Sequence, residues 1–306
     1  MKKYLVFIKH SSFWTKIIFF CLLILISLLL TTFLGLIIAY PFADMNIVNA
    51  LISGNTYTEN NINILKYLQI INQIGLFLLP ALLFSLVMNN NFSEYLNINK
   101  KPKIKNLILS ILIIFFSFPF INFLVEINQN LSLPAFLSSV EDWMKASEEE
   151  ANTLSELFVK ANTYRGLIIN VIIIALLPAI SEEFFFRGVL LRLFKEKIKS
   201  VHIAVLISAI VFSALHLQFY TFLPRVFLGL ILGYLYLWTG SLWVPIFTHF
   251  INNAIAVIGT FLLNNKLVNF DAENFSQSNI FLLLFSSLMV IYFIKEIYKN
   301  KKGDIF

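Results

Sequence analysis

The chain has 306 residues, is 58% hydrophobic and only 13% charged, and carries a formal net charge of +6; its mean hydropathy is +0.81. A soluble globular domain carries roughly 25% charged residues, so the composition excludes one and describes a polytopic membrane protein, long enough for one membrane domain without a sizeable soluble one. The basic residues are scattered through short loops, as membrane orientation requires, and are no sign of nucleic-acid binding; the single cysteine, Cys21, excludes an intrachain disulfide and a cysteine metal cluster.

In chain order, apolar runs of about 20 residues predict transmembrane helices near 15–40, 66–88, 104–125, 165–190, 201–217, 222–238, 242–263 and 279–298. The expected fold is all-α, a polytopic helical bundle of about eight spans. Lys2, Lys3, Lys9 and Lys16 precede the first run, which is too long for a signal-peptide core and has no small-residue cleavage site, so this helix is expected to be retained. The runs 201–217 and 222–238 are short and closely joined, with Pro224 at the turn.

Loop charges orient the spans. Basic segments hold Lys100, Lys101, Lys103 and Lys105, then Arg192, Lys195, Lys197 and Lys199, then Lys295, Lys299, Lys301 and Lys302. Acidic loops alternate with them: Asp44 and Glu59 in the first, Glu148, Glu149 and Glu150 in the second. Lys266 departs from the pattern and is offset by Asp271 and Glu273. The alternation predicts a multi-pass protein of the cell (inner) membrane with both termini cytoplasmic. Within the acidic loop, Val140, Trp143, Met144, Ala151, Leu154, Leu157 and Phe158 recur near helical spacing, which predicts an amphipathic helix resting on the outer membrane surface.

Three polar clusters interrupt the apolar helices: Glu182-Glu183-x-x-x-Arg187, Phe212-x-x-x-His216 and His249-x-x-x-Asn253. Ionisable groups at membrane depth are costly, and each is a functional-site hypothesis by default. Glu182 and Glu183 diverge by roughly 100° around one helix. Glu183 and Arg187 are four apart with the acid first, the favourable ion-pair order. Glu183 is therefore expected to be neutralised within its helix, and Glu182, with no partner there, is nominated as a general base in a low-dielectric site. A structural ion-pair network is the plainer alternative. His249 lies near both Asn252 and Asn253, and spacing does not choose between them. A histidine with an amide can stabilise an oxyanion or contribute to a metal site. At about 1.5 Å per residue, the three clusters can meet within the membrane, where converging polar groups require a water-filled cavity.

These residues carry a resemblance. The chain resembles the CPBP family of intramembrane proteases (CAAX proteases and bacteriocin-processing enzymes, also called Abi) at Glu-Glu-Phe-Phe-Phe-Arg 182–187, Phe-Ser-Ala-Leu-His 212–216 and His-Phe-Ile-Asn-Asn 249–253. Pro224-Arg225 followed by Gly229 and Gly233 is similar to a further family region, and the two glycines form a pair that lets helices pack closely. The resemblance implies a protease core over 161–265, between an N-terminal transmembrane region with its external segment, 1–160, and a C-terminal helix and basic tail, 266–306. It implies hydrolysis of peptide bonds in membrane-associated proteins or peptides. Glu182 and His216 would activate water, His249 and Asn253 would hold the oxyanion, and Glu183 with Arg187 would shape the site. Glu182, His216 and His249 could hold a zinc ion with an open position, or the site could run on glutamate-activated water alone; the reading leans to no obligatory tight metal. Two rivals come from other classes: a proton-coupled transporter, which also places Glu and His in helices, and a non-catalytic membrane scaffold or immunity factor. No internal repeat supports the transporter.

Overall fold

A computed structural model describes residues 7–40, 62–268 and 280–299. The loop charges Lys2, Lys3, Asp44, Glu59, Asp271, Glu273, Lys301 and Lys302 lie outside the described residues. Among those described there are helices and turns and no strand. Apart from short turns of three or four residues, the helices among the described residues are α1 Phe13–Ala39, α2 Ile62–Asn89, α3 Ile104–Gln129, α4 Ser138–Val159, α5 Tyr164–Lys197, α6 Val201–Ala214, α7 Phe222–Thr239, α8 Trp243–Asn264 and α9 Ile280–Lys299. Seven of them are long and apolar enough to cross a membrane, α7 with its preceding turn from Phe219. The protein is an all-α, multi-pass membrane protein. The remaining apolar segment, α6, has 14 residues and is about 21 Å long, short of a bilayer core of about 30 Å.

Local sequence explains the shapes. Ser12 caps α1 by accepting from the Thr15 amide, and Thr163 caps α5 by accepting from the Gly166 amide. Gly240, at φ 70°, ends α7 in the left-handed region open to glycine. α2 widens into a π-helical turn at Ile74–Leu78, and α5 does so at Val171–Leu176 and Phe184–Leu190. Pro80 and Pro178 follow the first two turns closely. A proline has no N–H for the carbonyl four residues back and crowds it, and a wide turn relieves that clash.

Phenylalanine fills the centre. Phe20 of α1, Phe84 of α2, Phe185 and Phe186 of α5 and Phe212 of α6 are buried in one cluster. Their rings follow one another at centroid distances of 5.0 Å (Phe20 to Phe84, Phe20 to Phe185, Phe185 to Phe186) and 5.1 Å (Phe186 to Phe212). α1, by contrast, shows Trp14, Ile18, Leu22, Leu25 and Leu29 on its outer face, the apolar periphery expected of a lipid-facing helix.

The acidic segment is a helix, α4, with Met144, Leu154, Leu157 and Phe158 half-buried against its neighbours. One residue departs from the amphipathic pattern. Glu148 is buried, and its Oε2 accepts a hydrogen bond from the Tyr220 amide at 3.2 Å. Trp143 lies against Phe219, with ring centroids 5.1 Å apart. α4 thus holds the connection between α6 and α7 as well as resting on helix ends.

Candidate active site

α5 carries the Glu pair at the end of a regular stretch, where the π turn at Phe184–Leu190 begins. Glu182, Glu183, Arg187 and His249 are all buried. Arg187 Nη1 donates to Glu183 Oε1 at 2.6 Å, and Nη2 donates to the main-chain carbonyl of Gly229 in α7 at 2.9 Å. The guanidinium also lies 4.9 Å from the Phe212 ring centroid, within cation–π range. A buried arginine without such partners would be strongly destabilising.

His249, from α8, stands between the two carboxylates. Its Nδ1 donates to Glu183 Oε1 at 3.0 Å, and its Nε2 faces Glu182 Oε2 at 4.0 Å. Glu182 Oε2 is buried and makes no hydrogen bond among the described residues. The other oxygen, Glu182 Oε1, accepts from Gln73 Nε2 in α2 at 3.2 Å. One carboxylate oxygen is tied to the scaffold and the other is not.

His216 closes the turn after α6. Its Nδ1 lies 2.8 Å from the Phe212 carbonyl. A carbonyl only accepts, so Nδ1 carries a proton, and in the neutral ring the lone pair is then on Nε2. The Phe212 ring lies between the two histidines, 4.9 Å from His216 and 5.8 Å from His249, centroid to centroid. Asn253 follows His249 by one turn of α8 and is half-buried. Its Oδ1 accepts from Asn252 Nδ2 at 3.2 Å, so its own amide hydrogens remain for another partner. The structure thus gathers Glu182, Glu183, Arg187 and His249 in direct contact or near it. His216 joins through Phe212, and Asn253 through its helix.

Sequence reading passed over Gln73 and the Gly229 carbonyl. Gln73 is a neutral amide in an apolar run, and a search for ionisable groups skips it. The carbonyl is main chain and has no sequence signature, although the glycine that carries it marks a close helix approach. An added Cβ there would stand 2.9 Å from Ala209 Cβ and 3.0 Å from its Cα. At Gly233 it would meet Val205 Cγ1 at 2.8 Å. The two glycines let α7 lie directly on α6.

A zinc site needs at least three protein ligands about 2.0–2.2 Å from the ion. His249 Nδ1 is taken by Glu183, and among the described residues no three His, Cys, Asp or Glu side chains gather as a metal group. As folded, the residues do not form a closed zinc cage.

The family model described as Type II CAAX prenyl endopeptidase Rce1-like matches residues 164–255. Residues 164–255 are thus similar to the Rce1-like family. An uncharacterized Bacillus subtilis (strain 168) protein, YpbD, is 35% identical over 90 residues, 28% of this chain. The chain spans 43% of that relative's length. No solved structure matches. The Rce1-like segment contains all six residues nominated from the sequence and leaves Gln73 outside.

Proposed function

We propose that the chain is an intramembrane endopeptidase of the CAAX-protease type, hydrolysing peptide bonds of membrane-associated proteins or peptides. The observation that carries this reading is the unpaired, buried Glu182 Oε2, 4.0 Å from His249 Nε2. That gap is too long for a direct hydrogen bond and suits one bridging water. Next to it Glu183 is compensated by Arg187, so the two carboxylates have different surroundings and different tasks.

In this mechanism Glu182 Oε2 takes a proton from the water as its oxygen attacks the scissile carbonyl carbon. His216, with its Nε2 lone pair, assists in moving that proton. The developing oxyanion receives hydrogen bonds from His249 Nε2 and Asn253 Nδ2. Donation from Nε2 requires the doubly protonated ring, because Nδ1–H is given to Glu183. Glu183 and the oxyanion then offset the ring and Arg187 charges. On collapse, Glu182 returns the proton to the leaving amine nitrogen. Side chains and the attacking water carry every proton transfer in this scheme.

The same reading puts the chain in the cell membrane with both termini cytoplasmic, since the loops carrying Lys100–Lys105 and Lys195–Lys199 are basic. The test is peptide profiling of membranes from cells carrying the wild type or Glu182→Gln. Peptides that depend on Glu182 support the reading. Absence of any such product, with pH-gradient-driven solute movement in vesicles, overturns it.

A further inference from the structure

Gln73 is 6% exposed and sits where α2 enters its π turn at Ile74–Leu78. It reaches 109 residues along the chain to Glu182, donating from Nε2 to Oε1 at 3.2 Å. Its own Oε1 lies 2.8 Å from Ser181 Oγ. Ser181 Oγ lies 2.8 Å from the Leu177 carbonyl as well. The Gln73 amide is thus wedged between a hydroxyl and a carboxyl, both from α5.

We propose that Gln73, supplied by the N-terminal region outside the Rce1-like segment, is the positioning residue of the site: it holds Glu182 Oε1 so that Oε2 alone faces the reacting water. The inference rests on Glu182 being the general base. Its force comes from donor and acceptor matching. A carboxylate at Glu182 accepts only, so the amide must present its NH2 group, and the Ser181 hydroxyl donates to the amide oxygen. When Glu182 is protonated, the amide can turn over and accept. Ser181 then receives the NH2 and donates to the Leu177 carbonyl. Gln73 therefore keeps a partner on Oε1 in both protonation states that a general base must visit. A neutral amide does this without adding a further charge to the buried cluster of Glu182, Glu183 and Arg187. Gly75, two residues on, keeps the segment close to α1, because a Cβ there would meet Thr31 Oγ1.

The experiment uses the full chain in lipid vesicles. The probe is a quenched fluorescent peptide ending in a prenylated Cys-aliphatic-aliphatic-X sequence. The variants are Gln73→Met, which keeps length and removes the hydrogen bonds, and Ser181→Ala, which removes the lock on the amide. A donor to a carboxylate favours its charged form, so the acid limb of the kcat profile should move to higher pH in Gln73→Met by about one unit. That is about a tenfold loss of rate at the acid end, with KM little changed. Ser181→Ala should move it in the same direction by less. Infrared titration without substrate reads the same event: the carboxyl band that Glu182→Gln abolishes should titrate at higher pH in both variants. Unmoved profiles and bands in a folded Gln73→Met protein, or in Ser181→Ala should Gln73→Met fail to fold, overturn the assignment. A shifted infrared band in a protein whose wild type cleaves no peptide upholds Gln73 and sinks the proteolytic reading instead.

Discussion

Arg187 donates a hydrogen bond across two helices to the main-chain carbonyl of Gly229, 2.9 Å away. At the same residue α6 and α7 touch, and a Cβ would stand 3.0 Å from Ala209 Cα. Gly229→Ala should push the helices apart, lengthen the Arg187 contact and cost about 1–3 kcal/mol, as overpacking does. Gly259 in α8 is the control, since a Cβ there meets nothing within 4 Å. Gly259→Ala should be neutral or stabilising by up to about 1 kcal/mol through helix propensity. Thermal unfolding in detergent reads both. Equal effects at the two sites would contradict the packing account.

The two adjacent glutamates should fail differently. Glu182→Gln keeps the shape, removes the base, and should lower the cleavage rate by about 10²-fold or more while the protein folds normally. Glu183→Gln strands the Arg187 charge in a buried site and should cost about 3–5 kcal/mol of stability. Arg187→Met strands the partner and should do the same. The Glu183→Gln/Arg187→Met double variant should cost less than the two single losses added together. Yield of folded protein and a denaturation cycle decide this. Additive losses would mean that the 2.6 Å contact carries no coupling.

Metal content gives a separate check. Purified protein should hold well under one zinc per chain, and a chelator should leave peptide cleavage nearly intact. His249→Ala and Asn253→Ala should still lose activity by about 10²-fold, through the oxyanion contact. Stoichiometric zinc with activity abolished by chelation would reverse the proposed chemistry.

Topology follows from the charge pattern. With Cys21 replaced, a cysteine at Ala146 in α4 should react with impermeant reagents from outside. One at Lys199, between α5 and α6, should react only from the cytoplasmic side. Both native side chains are exposed, so reagent access is not limited by packing. Labelling of both from one side would refute the orientation.

Much of this was legible in the sequence because it depends on local period and on transfer cost. Each predicted span corresponds to an apolar helix, since about 20 apolar residues in lipid satisfy their backbone only as a helix. The 201–217 segment is the one whose helix proves too short to cross by length. The Glu183–Arg187 contact follows from a spacing of four on one helix, and the close approach of α6 and α7 from the glycine pair. The π turns were less visible, though Pro80 and Pro178 mark two of them.

What the sequence could not supply depends on residues far apart in the chain. That Glu182 has no partner in its own helix follows from helical geometry. That Gln73 holds one of its oxygens, while the other faces His249, follows only from packing α2 and α8 against α5. The packing of α8 turns His249 Nδ1 towards Glu183, and the packing of α4 on the α6–α7 connection buries Glu148 against Tyr220. Periodicity reports which face of a helix is polar. It carries no information about which distant side chain will meet that face, because such contacts are set by crossing angles and close approaches summed over the whole bundle.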